Sequence, residues 1–232
     1  MAILHALLII LVGSLGTLAL QDLERKILIF PEATNTAHVV LRATSQQSLT
    51  SFTVCLKSYT DLSRAYSLFS YATRKSDNEF LIFKPKPNQY NLYVGGSIVT
   101  YSVADNRVPK PQWEHICMSW ESATGIVQFW LNGESLPRKG MKKGYTIGSE
   151  ASIILGQEQD SFGGGFDINQ SFVGEIADLY LWGRVLSPEE LVLVGNGGHL
   201  SDYLIDWRSL NYEIKGYVVV KPSLFHSYRT PM

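Results

Sequence analysis

A chain of 232 residues, 45 % of them hydrophobic, is long enough to bury one substantial core, and β-sandwiches of this length are routinely a single domain. Its 20 basic and 21 acidic residues leave a formal net charge of −1, which excludes strong global attraction to nucleic acid or to an acidic membrane surface.

The first twenty residues, MAILHALLIILVGSLGTLAL, form an apolar run too short and too close to the terminus for an ordinary membrane span. Small residues follow its core, so it reads as a secretory signal peptide cut after Gly16, Ala19 or Leu20, although it lacks an early basic residue and a clean Ala-x-Ala. No second long apolar run follows. The mature chain is therefore expected to be secreted, with no transmembrane segment. Cys55 and Cys117 are its two cysteines, read most simply as one disulfide, with two buried thiols as the alternative.

Short apolar or alternating segments then recur between turn residues, rich in β-branched and aromatic side chains. The first are Lys26 to Phe30, His38 to Leu41, Leu49 to Tyr59 and Tyr66 to Ala72. Glu79 to Lys84 runs into Pro85, Pro87 and Asn88, and Tyr90 to Val94 returns as its hairpin partner. Further strands are expected at Ile98 to Val103, Glu114 to Glu121, Ile126 to Leu131, Ser152 to Leu155, Phe172 to Trp182 and Tyr217 to Val220. Asn132-Gly133 marks a tight hairpin turn. The spacing predicts an all-β chain of two packed antiparallel sheets. One helix is expected, Pro188 to Val194, with Ser187 as N-cap, Glu190 completing the Ser-x-x-Glu box and glycines as the stop.

The stretch with the most chemistry is Leu155 to Phe172, LGQEQDSFGGGFDINQSF. Glu158 and Asp160 are spaced i, i+2, so in extended backbone their carboxylates share one side and repel unless a cation lies between them. Calcium takes roughly 6 to 8 oxygens from carboxylates, amides and main-chain carbonyls, and this loop offers all three kinds, with the Gln159 carbonyl between the two acids. Gly163, Gly164 and Gly165 let the chain curl back so that Asp167, Asn169 or Gln170 can approach the same ion. A solvated surface loop is the plain alternative. Asp77-Asn78, before the strand at Glu79, offers a second carboxylate and amide, though taken alone it is a turn. Leu81, Phe83 and Tyr93 make an apolar floor beside that turn, although core packing is the plainer role for any one of them.

Other features carry less. Arg138, Lys139, Lys142 and Lys143 lie in a Gly-punctuated loop and read as a solvated basic group; no specific nucleic-acid site is evident. Asn169-Gln170-Ser171 fits the glycosylation pattern, but a glycan there would crowd the acidic loop, so it is expected to stay unoccupied. A jelly-roll glucanase would need a further glutamate on the same strand, where Phe162 and Gly163 stand. No catalytic residues are expected.

His115-Ile116-Cys117-Met118-Ser119-Trp120-Glu121-Ser122 fits the pentraxin signature His-x-Cys-x-Ser/Thr-Trp-x-Ser/Thr at every fixed position. Together with DLSRAYSLFSYAT (Asp61 to Thr73), LGQEQDSFGG (Leu155 to Gly164), QSFVGEI (Gln170 to Ile176) and NYEIKGYVVVKP (Asn211 to Pro222), it makes residues 21–222 resemble the short pentraxins. Residues 1–20 are then the signal peptide and 223–232 a tail without an assigned role. The resemblance implies a two-sheet jelly-roll sandwich of the lectin-like kind, a Cys55–Cys117 disulfide, a cyclic homopentamer and two calcium ions per subunit. Asp77, Asn78, Glu158, the Gln159 carbonyl and Asp160 would hold one ion, and Glu158, Asp160 and Gln170 the other. The ligand pocket would be Leu81, Phe83 and Tyr93.

The expected function is that of a secreted, calcium-dependent pattern-recognition lectin, not an enzyme. Its ligands would be phosphate monoesters or acidic and acetal-bearing sugars on surfaces, and complement engagement is implied by the resemblance alone. Where phosphocholine-binding members have a small residue and a glutamate around the choline, this chain has Tyr93 and Ile98, which favours phosphoethanolamine-like head groups. A laminin-type adhesive sandwich using calcium only for stability is the alternative; a glucanase is the weakest.

Overall fold

A computed structural model describes residues 22–104 and 111–224. The signal-peptide expectation, and that for the tail beyond Leu224, lie outside the described residues. In chain order the strands are β1 (Lys26–Phe30), β2 (His38–Arg42), β3 (Ser51–Tyr59), β4 (Tyr66–Thr73), β5 (Phe80–Lys86), β6 (Gln89–Val94), β7 (Ser97–Ser102) and β8 (Glu114–Glu121). They continue with β9 (Ile126–Leu131), β10 (Glu134–Ser135), β11 (Lys139–Gly140), β12 (Ala151–Leu155), β13 (Gly174–Trp182), β14 (Tyr203–Asp206), β15 (Asn211–Lys215) and β16 (Val219–Pro222).

The strands pair antiparallel into two sheets. A nine-stranded sheet runs β10-β9-β8-β3-β13-β1-β16, with β11 beside β9 and β14 beside β13; a seven-stranded sheet runs β15-β2-β12-β4-β5-β6-β7. Alternation decides what lies between them: Phe52, Val54 and Leu56 of β3 and Phe80 and Ile82 of β5 enter the common core, where Phe52 and Phe80 meet at 4.0 Å between ring centroids. This is the all-β sandwich expected. The signature segment in β8 divides by parity: Trp120 is fully buried and donates from Nε1 to the Met141 carbonyl at 3.0 Å. Cys117 lies directly across from Cys55 of β3, and the two form the disulfide. Closing a loop of 62 residues contributes about 4 kcal/mol in the chain-entropy account.

Lys84 of β5 reaches across to Glu114 of β8 at 2.5 Å, with both side chains buried between the sheets. The ammonium also donates to the Tyr90 hydroxyl at 3.2 Å and lies 4.2 Å from the centre of that ring.

The two-residue strands β10 and β11 carry too few residues for alternation to reveal them, and β14 and β15 lie outside the expected strands. The last strand begins at Val219 rather than Tyr217, because Gly216 takes φ +68 and breaks the extended run. The Asn132-Gly133 turn forms as expected, with both residues at positive φ. The helix α1 (Pro188–Gly195) starts on the anticipated box: the Ser187 hydroxyl accepts from Glu190 N, and the Glu190 carboxylate accepts from Ser187 N at 2.8 Å. Ser187→Ala is expected to lower stability by about 1 kcal/mol, read as an earlier urea midpoint at unchanged slope.

Candidate metal centre

The two acidic segments are far apart in sequence but follow neighbouring strands. β12 pairs antiparallel with β4, Leu155 against Phe69 and Ala151 against Thr73, so the loop leaves β12 at the end away from the β4–β5 turn and must fold back along the sheet to reach it. The turn is fastened from behind: Gly96 N donates to the Asn78 carbonyl and Gly95 N to the Glu79 carbonyl, both at 2.9 Å. The buried Glu79 carboxylate accepts from the Tyr145 hydroxyl at 2.7 Å and from Gly148 N at 2.9 Å. Glu79 is therefore structural, and Asp77 and Asn78 are the donors the turn presents.

The loop leaves β12 at Gly156, where φ is +84 and a Cβ would fall 2.3 Å from the Phe30 ring, so only glycine fits. Gln157 is tied by its amide nitrogen to the carbonyls of Thr34 at 2.7 Å and Ala37 at 2.9 Å. Gln159 is buried with its amide on the Ser70 and Ser152 carbonyls, while its Oε1 accepts from Gly163 N at 2.8 Å. Its side chain thus folds the loop back over the sheet, which leaves the main-chain carbonyl as the oxygen Gln159 can offer. Further on, Asp167 caps a 3-10 turn, Ile168–Gln170, that Arg64 pins through the Ser171 carbonyl at 2.6 Å.

The outcome is a crowded carboxylate cluster. Burial pushes the Glu158 carboxyl up to about 7, with Asp160, Asp77 and Asp167 adding repulsion and Asn78 a counteracting hydrogen bond. Asp160 is raised as well, by burial and then by Asp77 and Asp167. Asp77, Asn78, Glu158 and Asp160 are therefore brought together, and Asp167 joins them, a residue that the glycine-turn argument named and the family pattern omitted. Two amide oxygens, Asn78 Oδ1 and Gln170 Oε1, are buried without a hydrogen-bond partner among the described residues. An unpaired buried acceptor such as that of Asn78 beside repelling carboxylates is costly, and a hard divalent cation satisfies both at once. The donor set fits calcium.

Next to the cluster lies the apolar floor. Leu81 and Phe83 point away from the inter-sheet core that holds Phe80 and Ile82. Both are nonetheless buried, Leu81 completely. Register places Ile154, Ser70, Leu81, Tyr93 and Ile98 in one row across β12, β4, β5, β6 and β7 on the outer face. Tyr93 is half-buried, and its hydroxyl is raised by burial and then by Glu158, which ties the floor to the cluster. Ile98, opposite Tyr93, is exposed.

Cys55, Cys117 and His115 also converge on the other sheet, but disulfide sulfurs do not ligate metals as thiolates do. His115 is pushed down to about 4 by burial and then by Lys57, and it faces Cys117 at 3.5 Å.

Comparison with known proteins agrees with this architecture. The Pentaxin family profile matches residues 26–222. Serum amyloid P-component of Bos taurus is 51 % identical over 208 residues, covering 89 % of this chain and 92 % of that one. C-reactive protein of Mus musculus is 49 % identical over 220 residues, covering 94 % and 96 %. Among solved structures, the native heptameric SAP-like pentraxin from Limulus polyphemus superposes with a TM-score of 0.76 at 24 % identity, over 89 % of this chain and 99 % of that one, a likeness of fold. With its signature strand, its cross-strand disulfide and half of its sequence shared with those relatives, the chain belongs to the pentraxin family.

Proposed function

We propose that this chain is a secreted, calcium-dependent recognition protein of the innate-immune kind that binds anionic head groups or acidic sugars on surfaces and catalyses no reaction. Asp77, Asn78, Glu158, the Gln159 carbonyl and Asp160 hold one calcium ion; Glu158, Asp160, Gln170 and, as an addition from the geometry, Asp167 hold a second. Calcium bound there supplies open coordination positions for paired ligand oxygens. The observation that carries this reading is the meeting of two remote acidic segments beside the orphaned amide oxygen of Asn78.

The floor of Leu81, Phe83 and Tyr93 then receives whatever the anion carries. Tyr93 narrows this space, and Ile98 across from it offers no carboxylate to a quaternary ammonium. A small primary ammonium suits it better. In calorimetric titrations with calcium, phosphoethanolamine is expected to bind about tenfold tighter than phosphocholine or more, the weight of one lost charge contact. Equal or tighter phosphocholine binding counts against this pocket. Several identical subunits in a closed ring, expected to be five, convert weak single sites into avidity for densely decorated surfaces. The wider reading is checked by retention on phosphoethanolamine beads with calcium and release by chelator. No retention, with calcium still raising stability, points instead to an adhesive sandwich.

A further inference from the structure

We propose a second binding subsite, beside Phe162, that takes the inner units of an acidic oligosaccharide whose terminal unit reaches the metal centre. It rests on the calcium-dependent recognition proposed above. The loop that carries Glu158 and Asp160 folds back over the outer face of β12, with the Gln159 amide on the Ser152 carbonyl at 3.1 Å and Gly163 above the Ser152 hydroxyl. This places Phe162 in the wall of a groove of about 390 Å3 lined both by polar residues such as Arg42, Gln46 and Asn211 and by apolar ones such as Val40, Ala43 and Ala151. Phe162 is 38 % exposed, and the Arg74 guanidinium lies 4.8 Å from its ring centre. Arg74 begins the turn that leads to Asp77 and Phe162 follows Asp160 by two residues, so this stacked pair joins the two segments that carry the cluster.

The chemistry of the groove selects its ligand. Hydroxyl and amide side chains offer both donors and acceptors, the pattern that meets sugar hydroxyls, and an aromatic edge gives a sugar ring a surface to rest on. An alkyl chain laid there would strip water from those groups and return no hydrogen bond. Arg42 adds a planar fork suited to a carboxylate. Glu213 lies within electrostatic range of Arg42 but is ion-paired to Lys215.

The test compares galacturonate with trigalacturonate by calorimetry in calcium, with phosphoethanolamine as a metal-centre control. The trimer is expected to bind about tenfold tighter than the monomer or more, the effect of one charge-assisted hydrogen bond. Arg42→Gln and Phe162→Ala should each erase most of that gain, and Arg42→Gln should leave phosphoethanolamine binding unchanged. Equal affinity for monomer and trimer, or an undiminished trimer advantage in Arg42→Gln, overturns the subsite. Calcium-dependent binding of phosphoethanolamine without any of trigalacturonate also overturns it, with the metal centre's function intact. If neither binds, both readings fall together.

Discussion

Glu158→Gln is expected to abolish calcium-dependent retention on phosphoethanolamine while making the metal-free protein more stable above pH 7. The carboxyl sits in a buried cluster that raises it to about 7 from an ordinary value of 4.5, so the folded state holds its proton more tightly than the unfolded chain does. Its contribution to stability is therefore complete below pH 4.5 and is lost as pH rises through about 7. The loss amounts to about 2 kcal/mol once solvent screening on the loop's open side is allowed for. Glutamine has the same shape, can still accept the hydrogen bond from Asn78 and never ionises. Urea unfolding with chelator at pH 5 and pH 8 should show the variant gaining on the wild type across that interval, while both share the increase that comes from His115, which the fold holds neutral. Calcium reverses the order. At one hundred times its dissociation constant it stabilises the wild type by about 2.7 kcal/mol and the variant far less. A variant that is less stable than wild type at pH 8 in chelator, or that keeps the calcium response, would remove Glu158 from the centre.

Lys84→Met alone is expected to cost about 3 to 5 kcal/mol, because it leaves Glu114 buried between the sheets without its cation. Glu114→Leu should also cost stability, by taking the carboxylate away from a lysine that is 1 % exposed. The double variant should recover most of the stability, since an apolar pair of comparable volume needs no desolvation of charge. Denaturant midpoints for the two single variants and the double variant form a closed cycle. Single costs below about 1 kcal/mol would mean that water reaches the pair and that it behaves as a surface contact.

What the sequence revealed about the sandwich follows from physical period. A strand such as Ile126–Leu131 alternates long enough for one face to declare itself, and its bounds match. The two-residue strands β10 and β11 cannot show a period at all. The centre was half legible. Glu158 and Asp160 stand out because two acids at i, i+2 need a reason, whereas Asn78 showed only as part of a turn and Gln170 only as a residue that a glycine turn could bring back, and the family pattern alone joined them to one centre. Asp167 was visible only as one of three residues that a glycine turn could bring back. Leu81 and Phe83 could not be told from core residues, because alternation says that two residues share a face without saying which face. Lys84–Glu114 went unread, since a lone lysine in an apolar strand names no partner across a sheet gap.

The pairing of β4 with β12 has a kinetic meaning. Asp77 and Glu158 stand about 80 residues apart in the chain, so their meeting must await closure of a long loop and completion of non-local strand pairing. A half-folded intermediate presents only scattered acids and should bind calcium no better than an unstructured peptide. Ion uptake would then come at the end of assembly, acting as a latch that slows unfolding while leaving the rate of the first collapse untouched.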